Sequence, residues 1–211
     1  RTIKVTDNHV YAGTGAWNST QSVRKIEKSS LNVEWVHDLL VGGNAAGIHR
    51  YNNKIFTGET WYAVDAFRSI DDDTGEGIRN ISVYASTGTE RGNPDLQDIN
   101  DVAVDDNGNI YTATDNDLVR KIDSHGNEVW TFNYGDRVNA LEVTSSGVYL
   151  GGDDSGNSGG VVKLGLGGEI KWNYSVGESV NDIAVNNEGI HIATDTYNAP
   201  GLIQIDDNGN E

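Results

Sequence analysis

The sequence predicts an all-β fold built by repetition, and three sets of fragments predict it. VRKI (Val23–Ile26), VRKI (Val119–Ile122), VVKL (Val161–Leu164) and LIQI (Leu202–Ile205) are one strand written four times. Each follows a second recurring strand: VYAGT (Val10–Thr14), IYTAT (Ile110–Thr114), VYLGG (Val148–Gly152) and IHIAT (Ile190–Thr194). A third recurs upstream of those: IKV (Ile3–Val5), DVAV (Asp101–Val104), ALEV (Ala140–Val143) and DIAV (Asp182–Val185). A period near 40 residues marks a solenoid, a propeller or an array. Short alternating strands joined by polar turns, four to a repeat, select the β-propeller.

The third repeat is the cleanest. Ile99–Val104 alternates as a strand, and Asp105-Asp106-Asn107-Gly108-Asn109 is a hairpin turn in which Asn-Gly supplies the positive φ angles. Ile110–Thr114 is strand two, and Asp115-Asn116-Asp117 turns. Leu118–Asp123 is strand three, Ser124-His125-Gly126-Asn127 turns again, and Glu128–Tyr134 is strand four. Repeat four, Val138–Tyr174, follows the same plan with an enlarged second turn, Asp153–Gly160. Repeat five starts at Val180, has its own enlarged turn around Thr196–Gly201, and stops at Glu211, which matches Glu128 at the start of strand four. Repeat one runs Ile3–His37, with Trp35 in the place of Trp130 and Trp172. Repeat two, roughly Ala46–Asp98, diverges most: it keeps Ile55–Gly58 as strand two but carries an acidic insertion, Asp71–Gly77, and an irregular stretch, Thr87–Leu96.

The expectation is therefore one propeller domain over residues 1–211, with blades near 1–45, 46–98, 99–136, 137–178 and 179–211, the last lacking its outer strand. The absence of any Met, even at position 1, reads as a chain that is processed or belongs to a longer polypeptide.

The net charge of −17 excludes nucleic acid and anionic membrane surfaces as natural partners, since both need a basic footprint. Such a surface stays soluble where salt screening is heavy. The Asp-rich, Lys-poor, Cys-free composition resembles that of proteins from salt-loving archaea and their viruses. Without Cys there is no disulfide framework and no thiol chemistry. No apolar run approaches the roughly 20 residues of a membrane span.

The pattern of strand two, turn, strand three, then Gly-x-x-x-Trp resembles the PQQ-like (quinoprotein-type) β-propeller repeat. The residues carrying it are Val148-Tyr149 through Gly168-Glu169-Ile170-Lys171-Trp172, and Ile110-Tyr111 through Gly126-Asn127-Glu128-Val129-Trp130. The resemblance implies propeller architecture and leaves function open. Quinone dehydrogenases of this type use eight blades, calcium and, in many members, a vicinal disulfide. Five blades and no Cys set this chain apart, so the resemblance implies a non-catalytic member, the alternative being an excerpt of such an enzyme.

Trp35, Trp130 and Trp172 recur at fixed spacing, which is the mark of packing between blades. Asn100, Asn139 and Asn181 recur at the head of the first strand, where an amide bonds the entering loop. Recognition is expected instead in the loops that break the repeat. The binding candidates are Trp17 and Asn18, Trp61 and Tyr62, Asp153, Asp154 and Asn157, and Tyr197 and Asn198. Of the irregular loops, four follow strand two and so share one end of their blades; Asp71–Gly77 is the fifth. Its Asp71, Asp72, Asp73 and Glu76 are the metal candidates, with calcium as the cation such a set would take, although no EF-hand pattern is present. No zinc spacing, nucleophile elbow or phosphate loop occurs, so neither catalytic residues nor a cofactor are expected. The sequence thus points to a non-enzymatic recognition or scaffold module on a virion (tail fibre, spike or capsid decoration) or a cell surface. Its expected partners are protein or glycan on a facing surface and other chains of an assembly.

Overall fold

A computed structural model describes residues 2–14, 22–39, 44–60, 66–82, 99–153, 160–195 and 201–211. The fold is a β-propeller of antiparallel blades, and the described residues contain no helix. Blade 1 is β1 (Thr2–Val5), β2 (His9–Gly13), β3 (Ser22–Glu27) and β4 (Val33–Asp38). Blade 2 is β5 (Asn44–Tyr51), β6 (Lys54–Thr60), β7 (Ala66–Asp71) and β8 (Gly77–Ser82). Blade 3 is β9 (Ile99–Val104), β10 (Ile110–Thr114), β11 (Leu118–Ile122) and β12 (Glu128–Asn133). Blade 4 is β13 (Val138–Thr144), β14 (Gly147–Gly152), β15 (Gly160–Leu164) and β16 (Ile170–Ser175). Blade 5 has three strands, β17 (Val180–Asn186), β18 (Gly189–Thr194) and β19 (Leu202–Ile205). Strand order follows chain order within every sheet. By compactness the chain divides into two units, Arg1–Val104 and Asp105–Glu211.

The alternation read from sequence becomes the core. In blade 5, Ile183, Ile190, Ile192, Ile203 and Ile205 are buried together with Tyr149 and Val161 of blade 4. In the first unit, Tyr11, Val23 and Trp35 of blade 1 are buried with Ile48, Ile55 and Ile70 of blade 2. A blade is therefore apolar on both faces, because each face packs on a neighbour rather than on water.

One turn chemistry recurs three times. In Asp105–Asn109, Asp123–Asn127 and Asp206–Asn210 the first Asp accepts backbone N–H groups from the residues two and four further on, at 2.8–2.9 Å. The glycine of each turn has positive φ (Gly108 79°, Gly126 95°, Gly209 81°), and the asparagine before Gly108 does not. Positive φ thus falls on Gly alone, which corrects the Asn-Gly expectation. The stretch Asp71–Gly77 is no insertion either. It is the ordinary connection from third to fourth strand, closed by Asp71 N→Glu76 O (2.8 Å), one residue longer than Asp123 N→Asn127 O (2.8 Å).

Candidate functional site

Antiparallel order gives each blade two unlike ends. At one end lie the connections from first to second and from third to fourth strand, all short hairpins. At the other lie the connections from second to third strand, which in blades 1, 2, 4 and 5 are residues 14–21, 61–65, 153–159 and 195–201. All nine candidate binding residues sit in those four connections. Trp17, Asn18, Trp61, Tyr62, Asp154, Asn157, Tyr197 and Asn198 lie outside the described residues, and Asp153 lies within them.

The roots of these connections are bonded in a repeated manner. Asp153 accepts from Asn139 Nδ2 at 2.7 Å, and its N–H donates to Arg137 O at 2.9 Å. One blade on, Asp195 accepts from Asn181 Nδ2 at 2.7 Å and donates to Ser179 O at 3.1 Å. Asn139 Nδ2 also reaches Val180 O at 3.1 Å, tying blade 4 to blade 5. These asparagines therefore anchor loop roots. Thr14 and Thr114 do the same work elsewhere, bonding Ser22 O (3.2 Å) and Leu118 O (2.8 Å) across the start of the following strand. In blades 1, 3, 4 and 5 the root of this connection is thus fixed by side-chain hydrogen bonds.

The opposite end holds the metal candidates, and the geometry gives them other work. Asp72 is 1 % exposed. It accepts from Tyr11 Oη at 2.7 Å and Arg50 Nε at 2.5 Å, with Lys25 Nζ at 3.4 Å. Its carbonyl accepts from Trp35 Nε1 (2.8 Å) and Lys25 Nζ (3.0 Å). Burial works against its charge, but the bonds from Tyr11 and Arg50 and the charge of Lys25 hold its carboxyl below the ordinary value. Asp71 Oδ1 accepts from the N–H groups of Asp73 and Thr74 and from the Thr74 hydroxyl. Asp73 accepts from Asn53 Nδ2 at 2.7 Å. The oxygens of this turn are thus spent on separate partners, whereas calcium needs six to eight converging on one point. Among the described residues no group of three or more His, Asp or Glu is placed to hold a metal. The candidate set does not fit calcium.

Asp72 belongs to a device that sequence reading found only in part. Tyr11, Lys25 and Trp35 of blade 1 correspond in register to Tyr111, Lys121 and Trp130 of blade 3 and to Tyr149, Lys163 and Trp172 of blade 4. In each case Lys and Trp grasp one backbone carbonyl in the third-to-fourth-strand turn of the next blade. That carbonyl is Asp72, Leu166 (3.0 and 3.1 Å) or Asp207 (3.4 and 2.9 Å). A glycine of the same turn lies flat against the tryptophan: a methyl on Gly75, Gly168 or Gly209 would come within 2.8, 3.1 or 3.2 Å of Trp35, Trp130 or Trp172. This explains Gly-x-x-x-Trp physically, since the Gly of one blade receives the Trp of the blade before it.

No family model matches the chain, and no curated protein sequence matches it. Solved structures do. The WD40 β-propeller domain of Doa1 superposes with a TM-score of 0.67 at 15 % identity, over 95 % of this chain and 60 % of that one. The computationally designed Ika8 protein gives 0.66 at 14 % identity, over 96 % of this chain and 57 % of that one. The designed Ika4 protein gives 0.56 at 13 % identity, over 76 % of this chain and 91 % of that one. The chain spans about three fifths of the Doa1 and Ika8 structures. At such identities the likeness is one of fold.

Proposed function

We propose that this chain is a non-enzymatic binding module, a non-catalytic relative of the PQQ-like propellers, that recognises protein or glycan through the connections between second and third strands. One observation carries the reading. Long, divergent connections are confined to one end of the blades, on bonded roots, while the connections at the other end are hairpins of two to five residues. Rigid scaffolds carrying variable loops are where recognition concentrates. The charge of −17 supports a setting in high salt, on a virion or a cell surface, and an extracellular location.

The test shortens 153–159 to Asp-Asn-Asp, the connection that blade 3 uses at 115–117. Labelled protein is applied in molar salt to arrays of surface glycans and to whole halophilic cells. Wild type should bind, and the shortened variant should lose roughly tenfold in affinity with unchanged circular dichroism. Equal binding by both, or binding by neither, overturns the reading.

A further inference from the structure

We infer a second binding site, at the hairpin end between blades 4 and 5, shaped for a neutral polyhydroxylated ligand the size of one sugar ring. A cavity of about 290 Å³ opens there, walled by two first-to-second-strand hairpins and by Asp207 of the turn after β19. That volume is at the lower limit for small-molecule pockets and suits a single ring. Its apolar wall is Val185 and Ile190, against which the C–H face of a sugar can rest.

The polar wall has a fixed direction. The Asp207 carboxylate can only accept, so Tyr149 donates its hydroxyl proton to Asp207 Oδ1. The Tyr149 oxygen is then free to accept from Ser146 Oγ at 2.7 Å, and Ser146 accepts from Thr144 Oγ1 at 2.9 Å. Thr144 Oγ1 in turn accepts from the Ser146 N–H at 3.1 Å. Lys163 Nζ occupies Asp207 Oδ1 from behind at 2.7 Å. Burial opposes the charge of Asp207, yet Lys163 and Tyr149 hold its carboxyl below the ordinary value, so it stays an acceptor.

Every proton in this chain runs toward Oδ1, which leaves Oδ2 of Asp207 as an acceptor at the cavity. Asn186, also in the lining, accepts at Oδ1 from the Glu188 N–H (2.7 Å) and pairs there with His191 (3.3 Å), so Nδ2 is the end of its amide left to donate. Asn187 and Ser145 stand exposed at the mouth. Polar side chains able to donate and to accept thus share the lining with an apolar patch, a mixture that the hydroxyls and C–H face of a sugar ring match. No cationic side chain lines the cavity, which disfavours an anion. In blade 3 the equivalent Tyr111 hydroxyl is engaged differently, donating to Asp105 of its own blade's longer hairpin at 3.0 Å.

The full chain is titrated with D-glucose, D-galactose and D-mannose, and separately with calcium chloride and putrescine, following the backbone amide signals of Ser145, Asn187 and Gly189 by NMR. At least one hexose should shift these signals saturably. Ser145→Trp, which blocks the mouth, and Asn187→Ala, which removes a donor, should each weaken that response roughly tenfold while leaving the other amides in place. The site is overturned if no hexose shifts these amides, if only calcium or putrescine does, or if both variants respond like wild type. Binding at the loop end is independent of these substitutions, so the two readings fail separately.

Discussion

The junction of blades 1 and 2 and that of blades 4 and 5 use the same four groups and differ in what covers them. At both, Tyr, Lys and Trp of one blade close on an aspartate in the third-to-fourth-strand turn of the next. At the first junction Asp72 is buried and receives Arg50 as a further cation. At the second, the Asp207 side chain is 57 % exposed and no Arg approaches among the described residues. A paired charge contributes little in water, and breaking the pair costs a great deal where water is excluded. The difference predicts which blade contact is structural and which is free to serve a ligand.

The largest effect should come from Asp72→Ala. It leaves the buried Tyr11 hydroxyl and Arg50 Nε without their acceptor, while Lys25 keeps Glu34 at 3.2 Å, so unfolding free energy should fall by about 3 kcal/mol. Asp207→Ala takes the carboxylate from Lys163, also 6 % exposed, but that carboxylate stands in water, so the loss in the same urea titration should be smaller, roughly 1 kcal/mol. Equal losses would mean that burial does not set the strength of this device.

Acid should separate the two regions next. His49 of blade 2 is held neutral by burial and by the charge of Lys4, its pKa lowered to about 4. The unfolded chain takes up that proton near pH 6.5, so the folded state binds fewer protons between these values. The His49 contribution is therefore complete above pH 6.5 and is lost as pH falls toward 4, by at most roughly 3 kcal/mol. The paired carboxylates Asp72 and Asp207, lowered from their ordinary 3.8, release their share only below that value. His49→Gln should flatten urea midpoints between pH 6.5 and 4 and leave the steeper loss below it unchanged.

The junction of blades 3 and 4 lies between the two cases and shows what sequence could and could not reveal. Strand positions, the blade plan and the packing role of the tryptophans were legible, because alternation persists, the tryptophan recurs in blades 1, 3 and 4, and its Gly-x-x-x spacing holds in blades 3 and 4; in blade 2 Arg79 stands at the tryptophan register. The tyrosine and lysine were equally visible in VYAGT and VRKI, but their meaning depends on which blade lies opposite. Asp71–Asp73 looked like a metal cluster because adjacency in sequence hides direction: the three carboxylates bond Thr74, Tyr11 and Asn53, on different elements. Lining up Asp72, Leu166 and Asp207 at one turn position would have shown that the acid of the device is dispensable there. The sugar-sized cavity was illegible, since it depends on hairpin lengths in two neighbouring blades.

Leu166 has no carboxylate to give, and blade 3 supplies Asp105 from its own first hairpin, 3.0 Å from Tyr111 Oη and 4.0 Å from Lys121 Nζ. Asp105→Asn should therefore cost about 1–3 kcal/mol. Adding Leu166→Asp should recover part of it if the device needs an acid near Lys121 from either source. Failure to recover would show that Asp105 acts through its turn, where it also accepts from Asn107 and Asn109 N–H.

The smallest effect tests the receiving turn. Gly75, Gly168 and Gly209 face a tryptophan at positive φ (74°, 93° and 81°), and the matching residue of blade 1 is Leu31, at φ 60° and 76 % exposed. A leucine there bears the left-handed penalty of roughly 1 kcal/mol and has no ring to shelter against among the described residues. Leu31→Gly relieves that strain but frees the unfolded chain, so the gain should be a few tenths of a kcal/mol. If the substitution instead destabilises the protein by 1 kcal/mol or more, Leu31 is packed in solution, and the face of blade 1 carrying exposed Ile3 and Val5 is covered by a partner.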